Sequence, residues 1–288
     1  MKKMKAIGVA SGLAAADRGC EKGSQLLEHS ELLRGSLAKA GITLNWEQLF
    51  PKEGVDKLTM VSELAHKIAE KTKEACQEGE FPLVFGGDHS CAIGTWSGVA
   101  AALRSQGDLG LIWIDAHLDA HTHETSESGN IHGMPVAALL GFGDPALTQV
   151  ADKLPKIKPE HLCFIGIRSY EPAERLLLEQ LGVKIFYIEE VLARGVEVIM
   201  SEALHHVQKG TVAFGVSLDI DSVDPFDAPG TGTAVPGGIP AVALCSALTQ
   251  IAKQSKLVAV EIAEFDPERD KAQKTEKWIG EFILCLTK

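Results

Sequence analysis

Acidic and imidazole side chains stand at alternate positions in two short stretches of the sequence. The first is Asp115-Ala-His117-Leu-Asp119 and the second is Asp219-Ile-Asp221. In an extended chain, side chains two residues apart point the same way, so each set can converge on one point while the intervening apolar residues pack behind it. Carboxylates and imidazoles in this pattern are typical metal ligands.

An isolated Asp-x-Asp at the end of a strand is more often a turn cap than a pair of ligands. Here there are two such groups, and His89 follows the double glycine of Gly86-Gly87. Four aspartates gathered in one place would repel one another strongly unless a cation neutralised them. Four carboxylates and two imidazoles are too many ligands for one ion and suit two.

Oxygen-rich sites with few imidazoles and no thiolate favour hard divalent ions. This predicts two Mn²⁺ per chain rather than Zn²⁺, with Co²⁺ or Ni²⁺ as substitutes. Two such ions roughly 3.5–4 Å apart can hold a bridging water and lower its pKa, so that hydroxide is available as a nucleophile at neutral pH. The pattern therefore predicts hydrolysis at a binuclear centre.

Short apolar segments that alternate with stretches of helical spacing must position these groups. Such strands are buried on both faces, which predicts an α/β fold with a mostly parallel sheet covered by helices on both sides. No linker divides the chain, so we expect residues 1–288 to form a single domain. The expected strands are 5–10, 81–85, 109–114, 162–167, 185–188, 212–218 and 257–262, and the expected helices are 24–40, 58–76, 92–103, 172–181, 196–207 and 240–252.

Ligands of open α/β sheets bind just beyond the carboxyl ends of the strands. His89, the Asp115 group, the Asp219 group and Glu264 each follow one of the expected strands. Four strands are thus predicted to deliver their polar side chains to one edge of the sheet.

The N-terminus allows two interpretations. Lys2, Lys3 and Lys5 precede a small, mostly apolar stretch, as in a signal peptide. That stretch is poor in leucine and contains Gly8, which favours a first β-strand running into a glycine-containing loop.

Composition narrows the class of ligand. The formal net charge is −11 at pH 7, which disfavours nucleic acid and anionic membranes and favours a cationic small molecule or a divalent metal. No apolar run is long enough to span a membrane. The six cysteines are far apart and form no C-x-x-C pair, so we expect them to be reduced and mostly buried. Reduced cysteines in turn predict a cytoplasmic protein.

Three motifs resemble the signatures of the ureohydrolase family, which includes arginases and agmatinases. They occur in the family's order and spacing and are Gly86-Gly-Asp-His89-Ser90, Asp115-Ala-His117-Leu-Asp119, and Ser217-Leu-Asp219-Ile-Asp221-Ser-Val-Asp224-Pro225. The resemblance implies a three-layer α/β/α fold, assembly into homotrimers or hexamers, and a dimanganese site. The ligands it implies, with Asp115 and Asp219 as the bridging pair, are His89, Asp115, His117, Asp119, Asp219 and Asp221.

The segment Ser128-Gly-Asn130-Ile-His132-Gly-Met-Pro135 is most similar to the arginase version of the loop after the second motif. By resemblance, Ser128 and Asn130 hold the α-carboxylate of the substrate and His132 shuttles protons. Glu171 is the candidate for binding the α-amino group, with Glu174 more remote. Glu264 matches the glutamate that pairs with the guanidinium.

The physical chemistry agrees with the last assignment, because a carboxylate can accept two parallel hydrogen bonds from a planar guanidinium. The resemblance thus implies hydrolysis of L-arginine to L-ornithine and urea, with Glu264 orienting the guanidinium and Asp119 passing a proton to the departing amine. His132 would protonate the product or restore hydroxide.

Each of the outer residues also has a plainer interpretation. Ser128 and Asn130 suit a turn around Gly129, and His132 could simply satisfy the loop backbone. His121 and His123 follow the ligand set, but loop histidines are more often rim residues than ligands. The family's usual asparagine is replaced by His121, and Ser169 and Glu171 replace a pair of aspartates.

These departures affect the substrate contacts and leave the metal-binding motifs intact. The runner-up function is therefore another amidinohydrolase acting on agmatine, a guanidino acid or formimidoylglutamate by the same mechanism. A zinc-dependent deacetylase and a non-catalytic homologue are further alternatives. The complete six-residue ligand set argues against both.

Overall fold

The computed structural model describes residues 3–52, 54 and 56–287. Its strands are β1 Met4–Val9, β2 Asn45–Leu49, β3 Phe81–Phe85, β4 Leu109–Ile114, β5 Leu162–Ile167, β6 Lys184–Tyr187, β7 Ala213–Asp219 and β8 Leu257–Ala263. They form one sheet in the order β2-β1-β3-β8-β7-β4-β5-β6, and the pairs are all parallel. The predicted α/β fold is confirmed, and the sheet is wholly rather than mostly parallel.

Helices cover both faces of this sheet. They are α1 Gly23–His29, α2 Glu31–Lys39, α3 Lys57–Gln77, α4 Cys91–Leu103, α5 Pro135–Leu140, α6 Pro145–Thr148, α7 Pro172–Gln180, α8 Ile188–Arg194, α9 Val196–Gln208, α10 Ala241–Ala252 and α11 Lys274–Thr287. Apolar side chains of α2, α9, α10 and α11 pack on one face, and those of α3, α4, α5 and α7 pack on the other. The result is a three-layer α/β/α arrangement.

The strand interpretation of the N-terminus is confirmed, because β1 pairs with both β2 and β3. Strand β2 was not predicted from the sequence. It lies at the edge of the sheet and is mostly half-exposed, with the sequence NWEQL, so it lacks the continuous apolar run that identifies the central strands. No helix among the described residues is long and apolar enough to cross a bilayer.

The single helix expected over residues 24–40 is two helices. Ser30 between them is extended (φ −64°, ψ 118°), and its hydroxyl accepts a hydrogen bond from the backbone N–H of Leu33. This is N-cap geometry, which begins a new helix at Glu31. Apolar spacing continues across Ser30, so periodicity alone does not reveal the break.

A disulfide joins Cys245 on α10 to Cys285 on α11, with Cα atoms 5.9 Å apart. The prediction of six reduced cysteines is wrong for this pair, because packing of the two helices brings together residues 40 positions apart in sequence. The remaining four cysteines are free, and Cys20, Cys91 and Cys163 are buried as predicted.

We expect loss of this disulfide to destabilise the protein without changing its fold. Closing a loop of this length restricts the unfolded chain, and its removal should lower the free energy of unfolding by about 3–4 kcal/mol. Thermal melts with and without dithiothreitol, and of the double variant Cys245→Ser/Cys285→Ser, measure the effect. Cys76→Ser, at a free half-buried cysteine, is the matched control. Equal melting temperatures, together with six reactive thiols in unreduced denatured protein, would contradict the prediction.

Candidate metal centre

The four central strands of the sheet, β3, β8, β7 and β4, end side by side. Asp115 directly follows β4, Asp219 is the last residue of β7, and Glu264 directly follows β8. His89 lies in the short turn between β3 and α4. Because the sheet is parallel, these ends share one edge, so the structure places the four predicted polar groups together.

The loops at this edge pack closely, and two of their residues have unusual backbone conformations. A Cβ atom on Gly87 would lie 1.8 Å from the carbonyl oxygen of Ser11, so only glycine allows the two loops to approach so closely. Asp119 (φ 49°) and Glu264 (φ 64°) are in the left-handed region. Residues other than glycine adopt this backbone region at an energetic cost, and residues in such conformations concentrate at functional sites.

Five of the six predicted ligands form two groups of three that share Asp115, and the sixth, Asp119, adjoins the first group through His89. In the first, His89 Nδ1 lies 3.2 Å from Asp115 Oδ2, 3.1 Å from Asp119 Oδ2 and 2.9 Å from Asp219 Oδ2. In the second, His117 Nδ1 lies 3.0 Å from Asp221 Oδ2 and 3.5 Å from Asp115 Oδ1. Asp115 therefore presents one oxygen to each group. We call these six residues the carboxylate cage.

The state of His89 indicates that the cage is built around a cation. Ser217 donates its hydroxyl hydrogen to Glu261 Oε1 at 2.9 Å, so it must accept from His89 Nε2, also 2.9 Å away. With Nε2 committed to Ser217, Nδ1 is the nitrogen that can offer a lone pair to a metal ion once a proton has left it. This buried Nδ1 has no hydrogen-bond partner among the described residues, although three carboxylate oxygens surround it. A metal ion between the imidazole and the carboxylates fits that arrangement.

Titration of the cage reflects the same excess of negative charge. Burial opposes a charge on His89 and His117, but the neighbouring aspartates outweigh it and raise the pKa of both imidazoles well above the ordinary value. Burial, and repulsion by Asp115, raise the pKa of Asp119 to about 6. Without metal, protons must supply the positive charge that the carboxylates require.

Several supporting residues were not predicted from the sequence. Trp113 Nε1 donates to Asp115 Oδ2 at 2.8 Å, and the Thr233 hydroxyl donates to Asp221 Oδ2 at 2.9 Å. The guanidinium of Arg168 donates to the carbonyl oxygens of Asp221 at 2.6 Å and Val235 at 2.8 Å. Trp113 lies two positions before Asp115, so strand alternation could have placed it on the same face. Arg168 contacts loops that are distant in sequence, so no local sequence pattern could have identified it.

Glu264 and His132 adjoin the cage. One oxygen of Glu264, Oε1, accepts a hydrogen bond from the backbone N–H of His89 at 2.8 Å and contacts His132 Nδ1 at 3.2 Å. Burial opposes charge on both groups, but the contact between them lowers the pKa of Glu264 and raises that of His132 to about 9. At neutral pH the pair is therefore a carboxylate and an imidazolium.

A cavity of about 310 Å³ opens over the cage. Ser128 and Asn130 line it, and Ser128 Oγ also accepts the backbone N–H of Asn130 at 3.2 Å. The segment is therefore both a hydrogen-bonded turn and part of the cavity wall. Whether these two side chains hold substrate stays a prediction.

The opposite wall differs from the prediction. Glu171, the candidate for the α-amino group, is exposed, and Glu174, expected to be more remote, is 3% exposed; both line the cavity. His121 is not a solvated rim residue, because it is 9% exposed and its Nε2 lies 2.9 Å from Glu171 Oε2. His123 is exposed, as expected for a loop histidine. Burial, reinforced by contact with Glu171, raises the pKa of Glu174 to about 8.

A parallel α/β sheet with paired carboxylate and imidazole groups at its carboxyl edge defines a binuclear metal-dependent hydrolase. The model of the arginase family matches residues 2–287, and the chain belongs to that family. It is 40% identical to an arginase of Bacillus caldovelox over 96% of this chain and 94% of that one, and 36% identical to an arginase of Bacillus subtilis over 99% and 97%.

Solved structures agree with this assignment. The B. caldovelox arginase structure has a TM-score of 0.91 at 37% identity, covering 100% of this chain and 98% of that one. A B. subtilis arginase structure also has a TM-score of 0.91, at 35% identity, covering 99% and 98%. The protein is a metal-dependent amidinohydrolase, and the resemblance inferred from its motifs is confirmed.

We expect metal affinity to rise with pH. The raised pKa values of His89 and His117 mean that the metal-free cage holds protons that an entering ion must displace, and each displaced proton changes the affinity by about tenfold per pH unit. The same shifts stabilise the metal-free fold below the ordinary histidine pKa, and this contribution is lost as pH rises through the raised values.

Competition with a Mn²⁺ indicator at pH 6 and pH 8 measures the affinity. Melts of EDTA-treated and Mn²⁺-loaded protein at the same pH values measure the stability. Equal Mn²⁺ affinity at both pH values would show that Mn²⁺ binding does not displace protons from the imidazoles.

Proposed function

We propose that the protein hydrolyses L-arginine to L-ornithine and urea with two Mn²⁺ ions in the carboxylate cage. The observation that carries the proposal is that two ligand groups share Asp115 directly beside the buried carboxylate of Glu264. Oxygen donors predominate in the cage, which favours Mn²⁺. Two divalent ions bound there would lower the pKa of a shared water and make hydroxide available near neutral pH.

Glu264 is proposed to fix the plane of the guanidinium. Its Oε1 is occupied by the backbone of His89 and by His132, and its buried carboxylate borders the cavity. A guanidinium that donates to this carboxylate would have its central carbon directed at the cage. The restricted backbone of Glu264 keeps this orientation before the substrate arrives.

Two residues are proposed to move protons. Asp119 lies in the cage and lines the cavity, so its carboxylate can take a proton from the attacking water and pass it to the departing amine. His132 holds a proton at neutral pH, because its pKa is about 9. It is therefore suited to act as a general acid towards the product amine.

The amino acid end of the substrate is proposed to lie at the cavity mouth. Ser128 and Asn130 would donate hydrogen bonds to its α-carboxylate, and Glu171 on the opposite wall would accept from its α-ammonium. All three line the cavity. Glu171 is already in contact with His121, which favours a second candidate, a guanidino substrate lacking the usual α-amino acid end.

A panel of guanidino compounds tests the proposal. After loading with Mn²⁺, we expect urea release from L-arginine at a kcat/KM above that for agmatine, guanidino acids and formimidoylglutamate. Asp119→Ala should keep its fold by circular dichroism but lose turnover, because it removes a ligand and a proton carrier. Preference for agmatine would overturn the substrate and leave the reaction class intact. Metal-loaded protein that releases no urea from any guanidine would overturn the function.

We expect His132→Asn to lower kcat for arginine by about 100-fold, as removal of a general acid typically does. In the native protein, kcat should decline above about pH 9 as His132 loses its proton, and the variant should lack this decline. The matched control is His123→Asn, an exposed imidazole in a neighbouring loop. An unchanged pH profile in His132→Asn would exclude the acid role.

We further propose that the single domain spanning residues 1–288 assembles into a homotrimer or hexamer. Phe226 and Val242, which are 79% and 68% exposed, are apolar side chains that association would cover, and the mass in solution tests this. A cytoplasmic location is supported by the four free thiols. The Cys245–Cys285 bond favours an oxidising compartment instead, and the state of that pair in freshly lysed cells decides between them.

A further inference from the structure

A third group of metal-binding side chains lies at the mouth of the cavity, outside the carboxylate cage. It consists of His121, Glu171 and Glu174, and we call it the mouth cluster. One donor atom from each lies within 4.8 Å of the others. His121 comes from the loop after β4, Glu171 caps the N-terminus of α7, and Glu174 lies in its first turn.

The donor separations in the mouth cluster match those in the cage. His121 Nε2 lies 2.9 Å from Glu171 Oε2 and 3.4 Å from Glu174 Oε2, against 2.9–3.5 Å between imidazole and carboxylate atoms in the cage. Nitrogen and oxygen ligands about 2.0–2.2 Å from one divalent ion stand roughly 3.0–3.5 Å apart. The His121–Glu174 separation falls in this range, and the His121–Glu171 separation, a hydrogen bond in the absence of an ion, lies just below it.

Neighbouring groups hold the two buried members in position. His121 Nδ1 lies 3.0 Å from the Thr125 hydroxyl, and Nε2 faces the carboxylates and hydrogen-bonds to Glu171. An ion bound to Nε2 would take the place of the proton in that hydrogen bond. Glu174 Oε1 accepts the backbone N–H of Ala120 at 3.0 Å, and Oε2 accepts that of Glu171 at 2.9 Å. A buried imidazole and a buried carboxylate are thus fixed towards one point.

No lysine or arginine is among the described residues that line the cavity, so no such side chain competes for the two glutamates of the mouth cluster. Burial and contact with Glu171 raise the pKa of Glu174, and an entering divalent ion would displace the proton that this glutamate holds. A bound ion would keep open coordination positions for water on the cavity side.

We propose that His121, Glu171 and Glu174 form a third divalent-cation site, for which Zn²⁺ is the probe. Three protein ligands with an open position for water are a coordination that zinc adopts in catalytic sites. First-row ions also bind such donors in an order that places Zn²⁺ above Mn²⁺. The site itself depends only on these residues and not on the reaction at the cage.

Occupation of the third site would hinder the substrate, a consequence that does rest on the proposed function. Glu171 is the residue proposed to accept the α-ammonium of arginine. A Zn²⁺ ion bound to that carboxylate would compete with the ammonium and stand in the mouth of the cavity. We expect the KM for arginine to rise several-fold with Zn²⁺ occupancy while kcat is unchanged.

Metal counting on the full chain tests the site. Protein loaded with Mn²⁺ and freed of excess ion is dialysed against increasing micromolar Zn²⁺, and both metals are counted by mass spectrometry. We expect the native chain to bind one Zn²⁺ while it retains its Mn²⁺. His121→Asn and Glu171→Gln should bind Zn²⁺ at least about tenfold more weakly. Glu171 is exposed, so its variant keeps the test valid if His121→Asn fails to fold.

The matched control is His123→Asn, which removes an exposed imidazole from the same loop and should bind Zn²⁺ like the native chain. The proposal is overturned if the native chain binds no additional Zn²⁺, if Zn²⁺ enters only as Mn²⁺ leaves, or if both mouth-cluster variants bind it as the native chain does. Metal counting uses no substrate. A failure of arginine hydrolysis would therefore leave the count unaffected, and the two proposals fail separately.

Discussion

Repulsion among four buried aspartates is the constraint on which the rest of the site depends. Asp115 and Asp219 are within 2% of complete burial, as is Asp221, and Asp119 is only 8% exposed. Like charges at this depth stay ionised together only if positive charge lies between them. The parallel sheet creates the problem, because it ends four central strands at one edge. The same edge solves it by bringing His89 and His117 to the aspartates.

The surrounding hydrogen bonds set the direction of each ligand. Trp113 and Thr233 donate to cage carboxylates, and the Ser217–Glu261 chain orients His89. Each of these partners is positioned by the sheet or by a loop anchored to it. A ligand set that is oriented before metal arrives loses little conformational freedom on binding. The backbone cost at Asp119 and Glu264 is consistent with this, because packing must hold conformations that an isolated chain would avoid.

The predictable part of the structure is the part controlled by local pattern. Continuous apolar runs placed β3, β4 and β5 at their observed bounds, and alternation after β4 and at the end of β7 identified the cage aspartates and His117. Features that depend on contacts between distant segments were not predictable: the edge strand β2, the disulfide and the burial of Glu174. His121 belongs with them, because only the position of α7 shows that its ring meets Glu171 and Glu174 rather than solvent.

This division explains why the reaction class follows more firmly from the structure than the substrate does. The cage is built on strand ends, whose positions the sheet fixes, whereas the mouth of the cavity is built on loops and on the first turn of α7. Loops change more readily than sheet edges without loss of the fold. The charge of the mouth nevertheless follows the same rule as the cage. Its carboxylates exceed its imidazoles, and no lysine or arginine is present among the described residues of the lining. The aspartates of the cage and the carboxylates of Glu264 and Glu171 all border the cavity, and this excess of acidic groups is what a positively charged guanidinium would meet, whichever guanidino compound carries it.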